Sequence, residues 1–218
     1  HGFARNSKFT VNYDLSSAKE NSNNNSVCVV FELSATEKTL KIWPHHFKLL
    51  YYVTLSINSL GKSEVDLKLK VINNNNNNND IIITTALHTY FNVSDINHVS
   101  VSGLKGLNYL DKTLQEKKCL QNEENLIIDK EIDRKYYNTT NEVILHDSIS
   151  GTKIMVKTDN NLPDTVVWNP WIDTAKKMSD LDDLEYNKML CIEAAAIENP
   201  IIIKSQESWE GNCKLKWS

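Results

Sequence analysis

One carboxylate of this sequence lies within an apolar segment, where burying a charge is energetically unfavourable. Glu193 is inside the apolar run MLCIEAAAI, Met189 to Ile197, and in a strand it would share its face with Cys191 and Ala195. Burying a charge there costs several kcal/mol unless the charge is paired or hydrogen-bonded, so its presence requires a reason. The small neighbours leave room for a ligand ring. Desolvation is expected to raise the pKa of Glu193 toward the range of a general base.

A histidine in a second apolar stretch offers the matching acid. If ALHTYFNVSDI, Ala86 to Ile96, continues a strand, then His88 lies on the same face as Tyr90 and Asn92. Proton transfer at two ends of one bond needs two groups of opposite protonation state, and a histidine with a glutamate provides them near neutral pH. Two structural alternatives stay open from residue type alone: a histidine hydrogen-bonded within a sheet, and a glutamate in a salt bridge.

The elements that must position these side chains are predicted to be strands. Apolar and polar residues alternate along Phe47–Asn58 and again along Val65–Ile72, with the turn sequence Asn-Ser-Leu-Gly between them, which predicts an antiparallel hairpin. Many short strands separated by turn residues favour an all-β antiparallel sandwich. The further strand candidates are Phe9–Tyr13, Val27–Leu33, Ile81–Phe91, Val99–Val101, Val143–Leu145, Lys153–Lys157, Met189–Ile197, Ile201–Lys204 and Cys213–Trp217.

Three segments depart from the strand pattern. Between Trp171 and Met189 the apolar residues recur every three or four positions, which predicts one short helical excursion. The asparagine-rich tracts at 21–26 and 73–79 cannot bury apolar surface. We therefore expect them to be disordered insertions at hairpin tips of a single domain spanning residues 1–218.

Composition narrows the class of partner. The 218 residues carry 24 basic and 28 acidic side chains, and neither sign forms a long run, so binding to nucleic acid or to a membrane surface is not expected. No apolar stretch of membrane-spanning length and no signal peptide stand out, which favours a cytoplasmic protein. The four cysteines are too widely spaced to suggest disulfides or a zinc site. We expect a monomer that binds a small molecule.

Several sequence blocks together resemble the glucose-6-phosphate 1-epimerases, or hexose-6-phosphate mutarotases, of the galactose mutarotase-like superfamily. The blocks occur in the family's order and span the whole chain. They are HGFARN from His1, ALHTYFNVSDI from Ala86, VSGLKGLNYLDK from Val101, EIDRKYYN from Glu131, DTVVWNPW from Asp164, MLCIEAAAI from Met189 and ESWEGNCKL from Glu207.

The resemblance implies a supersandwich of antiparallel sheets that binds a sugar, without a metal or an organic cofactor. It assigns Glu193 as the general base and His88 as the general acid. Glu193 would remove the proton of the anomeric hydroxyl while His88 protonates the ring oxygen, and the opened aldehyde would close again on its other face. The implied reaction interconverts the α and β anomers of hexose 6-phosphates, chiefly glucose 6-phosphate.

Substrate contacts are implied at further positions of the same blocks. Arg5 can bind a phosphate group bidentately, and His1 could assist it. Asp133 is a candidate for contact with a sugar hydroxyl. Trp168 is expected to form a wall of the site and Asn169 to supply a hydrogen bond, although a tryptophan before Asn-Pro also suits core packing.

Family members carry an N-terminal portion before HGFARN, including an Arg-Gly-Gly segment that helps to bind the phosphate. We therefore expect an N-terminally incomplete sheet.

Other functional classes stay open at this point. A catalytically impaired carbohydrate-binding or sensing protein on the same fold would keep the same residues. A structural or interaction domain whose functional part is the asparagine tracts is a third alternative.

Overall fold

The chain folds into antiparallel strands joined by turns, as the alternating sequence predicts. The computed structural model describes residues 2–19, 25–57, 60–76, 79–139 and 142–218. Within these residues the strands belong to two sheets, one of ten strands and one of seven. The strands are β1 (Thr10–Val11), β2 (Ser17–Lys19), β3 (Asn25–Ser34), β4 (Phe47–Ile57), β5 (Ser63–Asn73), β6 (Ile81–Leu87), β7 (Tyr90–Asn92), β8 (Val99–Ser102), β9 (Asn108–Asp111), β10 (Lys117–Leu120), β11 (Asn125–Ile127), β12 (Ile132–Tyr136), β13 (Glu142–Asp147), β14 (Lys153–Thr158), β15 (Asp164–Asn169), β16 (Met189–Ile203) and β17 (Ser208–Trp217).

Helices are few and short. The α-helices of the described residues are α1 (Glu37–Ile42) and α2 (Trp171–Ala175), and the 3₁₀ helices are Phe3–Asn6, Ile96–His98, Lys112–Leu114 and Glu185–Lys188. Within the described ranges, none of them has the length and apolar composition to cross a lipid bilayer. The predicted all-β antiparallel sandwich is confirmed, and the predicted helical excursion corresponds to α2 and the 3₁₀ turn before β16.

The residues group into two compact units. The first consists of His1–Thr84 with Asn199–Lys214, and the second of Thr85–Glu198 with Leu215–Ser218. The prediction of a single domain over residues 1–218 stays a prediction, and each unit is described below by itself.

The first unit is built on the meander β3-β4-β5. Strands β3 and β4 are paired so that Val30 lies opposite Tyr52, and β4 and β5 so that Val53 lies opposite Leu67. Both strands of the predicted hairpin are confirmed. On β5 the alternation places Leu67, like Leu69 and Val71, in the core, because residues two apart share a face. Strands β1 and β2 both pair with β3.

Two asparagines in the described part of the tract at the end of β5 are buried, which its composition did not indicate. Asn73 is the last residue of β5 and is fully buried, and Asn75 is 5% exposed. The Asn73 amide donates to the carbonyl oxygens of Asn79 and Ile203, both at 2.9 Å, while the Asn75 carboxamide oxygen accepts from the backbone of His46 at 2.8 Å. These positions can be buried because an asparagine amide can satisfy buried backbone groups in a turn. The expectation of disordered insertions stays a prediction. Residues 20–24, 77 and 78 lie outside the described residues, and Asn25 and Ser26 of the other tract belong to β3.

The second unit contains strands of both sheets. One ladder has the order β14-β13-β8-β11, and the other has the order β10-β9-β12-β15-β16, with β7 also paired to β16. The sequence predicted β16 as two strands with a break near Pro200, whereas the structure has one continuous strand from Met189 to Ile203. Apolar residues fully buried in this unit include Val101, Leu145, Val167, Leu190 and Ile192.

Candidate active site

Glu193 occupies the buried half of β16. All residues from Met189 to Ala196 are buried, and the side chain of Glu193 is 7% exposed. Cys191 and Ala195, two positions to either side, are fully buried and small. The carboxylate therefore lies in the apolar setting that the sequence indicated, with no bulky neighbour on its own face of the strand.

His88 lies in a break between β6 and β7, which the sequence predicted as one strand. The backbone amide of Thr89 donates to the carbonyl of Leu87 at 2.9 Å, and the Thr89 hydroxyl donates to the carbonyl of Ile192 on β16. The amide bond closes the two-residue break, and the hydroxyl bond holds it against β16. The alternation continues across the break, since Leu87 and Phe91 are buried whereas His88 is half-buried and Tyr90 is exposed.

The strand register explains why the two groups meet. On β7 and β16, Phe91 is paired with Leu190 and Tyr90 with Cys191. Two further steps in the same register bring His88 opposite Glu193, on the same face of the sheet. The imidazole Nε2 lies 3.4 Å from the carboxylate Oε1, and the histidine side chain is 23% exposed. The proton-transfer pair expected from the sequence is thus brought together at one partly open position.

Aromatic rings surround the imidazole. The ring of Tyr90 is stacked on His88 with 4.8 Å between centroids and 8° between planes. The ring of Trp168 meets His88 edge-on at 6.0 Å and 83°, and Tyr90 at 6.2 Å and 85°. Trp168 thus forms a wall beside the pair. Tyr90 was not among the predicted site residues, although its alternation with His88 was the signal that could have found it.

A row of paired residues extends the site across the sheet. Tyr90 is paired with Cys191, Cys191 with Trp168, and Trp168 with Asp133, so their side chains share one face. Asp133 is half-buried and forms an ion pair with Lys112, whose Nζ lies 3.2 Å from the carboxylate Oδ2. Asp133 therefore lies two strands from Cys191 on the face that carries Glu193, and its contact with a sugar hydroxyl stays a prediction.

A second row runs parallel to the first. Glu193 is paired with Val166, and Val166 with Lys135 of β12. The Lys135 ammonium is 2.9 Å from Glu116. The hydrogen bond to Glu116 raises the pKa of Lys135, and it outweighs the opposing effect of partial burial. This edge of the face therefore carries a charged pair near neutral pH.

Buried polar contacts on the other face of β12 hold that strand in place. Arg134 follows Asp133, so its side chain points to the opposite side, where its Nε lies 3.3 Å from Asp111 of β9. The fully buried Tyr136 donates to the Gln121 side chain at 2.9 Å, and burial raises the pKa of Tyr136 to about 12. The arginine therefore ties β12 to β9, and the neutral tyrosine ties it to the residue that follows β10, behind Asp133.

The structure gives Asn169 a structural role. Its side chain is fully buried, and its amide donates to the carbonyls of Tyr186 and Met189, both at 2.8 Å. Its carboxamide oxygen accepts from the backbone amide of Trp171 at 2.9 Å. These bonds tie the end of β15 to the start of α2 and to β16. The hydrogen bond from Asn169 to a sugar stays a prediction, without support from these contacts.

Of the two predicted phosphate ligands, the structure describes Arg5, in the first unit. Arg5 lies in the 3₁₀ helix Phe3–Asn6 and is exposed. The ring of Phe3 packs against Trp43 at 6.1 Å and Phe47 at 5.7 Å, which anchors this helix. His1 lies outside the described residues, so its part in the predicted phosphate site stays a prediction.

Among the described residues, a surface depression and the possible metal ligands can be compared with the predicted site. A depression of about 410 Å³ in the first unit is lined by Ser34, Ala35, His46, Phe47 and Asn74–Asn76, and includes no predicted site residue. Across the described part of the chain, no three histidine, cysteine or acidic side chains cluster in a way that could hold a metal ion. The site is therefore defined by the chemistry around His88.

Comparison with known proteins identifies the family. The profile of the aldose 1-epimerase family matches residues 1–216. The chain is 36% identical over 215 residues to a Cenchrus ciliaris protein named "Putative glucose-6-phosphate 1-epimerase", covering 99% of this chain and 64% of that protein. An Escherichia coli K12 protein of the same name is 35% identical over 196 residues, covering 89% of this chain and 60% of its own length.

A solved structure is similar over the whole chain. The crystal structure of a "putative mutarotase" from Salmonella typhimurium superposes with a TM-score of 0.82 at 28% identity, covering 100% of this chain and 67% of that one. The chain spans less than two thirds of the length of both named relatives. It belongs to the aldose 1-epimerase family, and the predicted family resemblance is confirmed.

Proposed function

We propose that this member of the aldose 1-epimerase family interconverts the α and β anomers of a hexose 6-phosphate, with Glu193 as general base and His88 as general acid. The observation that carries the proposal is the 3.4 Å approach of the His88 imidazole to the buried Glu193 carboxylate at a partly open position. Such a pair suits acid and base catalysis because its members differ in protonation near neutral pH.

The reaction follows from the positions of the two groups. The anomeric hydroxyl and the ring oxygen are bonded to the same carbon, so the groups that act on them must be neighbours. Glu193 removes the hydroxyl proton as the bond between C1 and the ring oxygen breaks, and His88 gives its proton to that oxygen. After rotation about the C1–C2 bond, the new hydroxyl returns a proton to His88, while Glu193 protonates the carbonyl oxygen during ring closure. No proton is consumed in the cycle.

The aromatic surroundings support sugar binding. Trp168 presents a half-buried ring beside the pair, and the apolar face of a sugar ring packs well against such a surface. Asp133 lies in the same row, with its carboxylate held by Lys112, as an acceptor for a sugar hydroxyl. The pair catalyses proton transfer, and these neighbours orient the ring.

Two observations support the proposed specificity for a phosphorylated sugar: the exposed Arg5 side chain and the names of the relatives. Both relatives carry the name "Putative glucose-6-phosphate 1-epimerase". An exposed guanidinium can bind a phosphate through two parallel hydrogen bonds, a geometry that a lysine cannot reproduce.

The central test follows the anomerisation of freshly dissolved α-glucose 6-phosphate by optical rotation or by a coupled dehydrogenase. Wild type is compared with Glu193→Gln and His88→Asn, with Lys105→Ala as an exposed control. Each catalytic variant is expected to lose roughly 100-fold or more of the rate, the usual contribution of a positioned acid or base. A wild type that only binds the sugar phosphate, without exceeding the spontaneous rate, would favour the carbohydrate-sensing alternative.

A melting experiment separates catalysis from a structural salt bridge. Breaking a buried ion pair needed for folding costs about 3 to 5 kcal/mol, which lowers Tm by roughly 6 to 20 °C in a protein of this size. A glutamate retained for chemistry leaves Tm of Glu193→Gln near that of wild type, because the neutral amide has the same shape. An inactive variant that also melts far earlier would support the structural alternative.

The phosphate assignment is tested with Arg5→Lys and with unphosphorylated glucose. Losing hydrogen bonds to a charged group costs about 1.5 to 3 kcal/mol, so KM for the phosphate ester is expected to rise about 10- to 100-fold. The rate with glucose should stay unchanged. If wild type turns over glucose and its phosphate with equal kcat/KM, the chain has no functional phosphate site.

A further inference from the structure

We propose that Tyr90 is a positioning residue for His88: its ring fixes the plane of the imidazole so that Nε2 is directed at the reacting oxygen beside Glu193. The inference rests on the proposed function and adds a residue that the proton-transfer scheme does not use. It starts from the nearly parallel stacking of the two rings, 4.8 Å apart and inclined by 8°.

The geometry is that of an offset stack. For a van der Waals separation of about 3.5 Å between the planes, the centroid distance corresponds to a lateral offset of roughly 3.3 Å. Offset stacking is the preferred parallel arrangement of two aromatic rings. The contact covers one face of the imidazole and leaves its edge, which carries the nitrogens, directed away from the tyrosine.

Rotation of the imidazole is the motion that this contact opposes. The terminal torsion of histidine has a broad energy minimum, so the backbone alone sets the ring plane poorly. His88 also lies in the break between β6 and β7, where the regular ladder does not support it. Tyr90 on one side and the edge of Trp168 on another confine the ring, and a rotated ring would strike one of them.

Tyr90 suits this role better than a core role. The residue is 48% exposed, so only about half of its surface contributes to folding by burial. Its partner in the ladder is Cys191, whose small side chain leaves the tyrosine ring free to lie along the sheet toward His88. The ring face, and not the hydroxyl, makes the stacking contact.

Steady-state kinetics with Tyr90→Phe and Tyr90→Leu test the inference. Tyr90→Leu is expected to lower kcat about 10- to 100-fold with KM within about threefold, since a small misplacement of a catalytic group has costs of this size. Tyr90→Phe keeps the ring and is expected to retain kcat within about threefold. Tyr13→Leu, the same change at a residue that is 82% exposed, serves as the matched control.

Proton NMR of the histidines provides a readout that does not depend on turnover. The protein has six histidines, and the signal absent from His88→Asn identifies His88. The stacked ring shields the imidazole protons, so this signal should move downfield in Tyr90→Leu and stay in place in Tyr90→Phe. If wild type fails to accelerate anomerisation, the proposed function falls, while this measurement still decides whether Tyr90 holds the imidazole.

Three results overturn the inference. An unchanged His88 signal in Tyr90→Leu means that the rings are not stacked in solution. A raised KM with normal kcat makes Tyr90 a substrate contact. Equal losses in Tyr90→Phe and Tyr90→Leu make the hydroxyl, and not the ring, the functional part.

Discussion

Asn73 provides a test of whether the asparagine tract is part of the folded structure. Replacing it by alanine removes two hydrogen bonds to the carbonyls of Asn79 and Ile203 and one from the backbone amide of Asn75. Asn79 is exposed, so its carbonyl can turn to water, but the amide of Asn75 and the carbonyl of Ile203 belong to buried residues. A buried polar group left without its partner costs about 1 to 3 kcal/mol. We therefore expect Asn73→Ala to lower the free energy of unfolding by about 2 to 4 kcal/mol.

Thermal unfolding followed by circular dichroism measures this loss. In a protein of about this size, 1 kcal/mol corresponds to roughly 2 to 4 °C, so Tm of Asn73→Ala should fall by about 5 to 15 °C. Asn74→Ala is the matched control in the same tract, because its side chain is exposed and its backbone amide keeps the 2.9 Å bond to the carbonyl of His46. If the two variants melt within about 2 °C of each other, the tract behaves as an interchangeable polar loop and the reasoning fails.

Two further predictions concern the second unit. A side chain at Gly103, where φ is +91°, would place its Cβ 2.5 Å from the carbonyl oxygen of Glu142. Gly103→Ala should therefore lower Tm clearly more than Gly106→Ala, because Gly106 has a positive φ but open space around it. Equal losses of Tm would contradict the steric argument. Burial opposes ionisation of Asp147, but hydrogen bonds from Ser94 and a neighbouring turn prevail and lower its pKa from 3.8 to about 2. The ionised Asp147 carboxylate stabilises the fold by about 1 to 2 kcal/mol above pH 4, and this stabilisation is lost as pH falls toward 2. Urea titrations should therefore show Asp147→Asn to be less stable than wild type at pH 7, with a smaller difference at pH 2.

Long alternating strands could be predicted from the sequence nearly to their ends, whereas several of the short elements could not be predicted. β4 and β5 each have 11 residues, enough for the period of two to stand out, and both were predicted nearly to their ends. Strands such as β11 and β12, with three and five residues, carry too few alternations to be recognised. Helix α1 has six residues, and its start depends on the reciprocal bonds between Thr36 and Thr39, which an alternation of apolar and polar residues does not reveal.

The candidate site likewise combines residues that the sequence predicted with contacts that it could not predict. Residue chemistry picked out His88 and Glu193, because an ionisable side chain in an apolar run is rare. Their contact could not be derived from the sequence, since it depends on a pairing register between strands about one hundred residues apart. The buried bonds of Asn169 were equally hidden, because an asparagine that binds a ligand and one that ties two strands together look alike in sequence.

Burial alone would not have identified the proposed catalytic carboxylate in the second unit. Asp164 and Asp147 are as deeply buried as Glu193, being 1% and 6% exposed. Both aspartates accept hydrogen bonds from backbone amides, such as that of Ile197 at 2.8 Å from Asp164. A backbone amide holds a carboxylate in place but cannot exchange a proton with it near neutral pH. Glu193 differs because an imidazole lies 3.4 Å away, at a partly open position. The partner's ability to gain and lose a proton, and not the depth of burial, is what separates a carboxylate suited to chemistry from one that stabilises the fold.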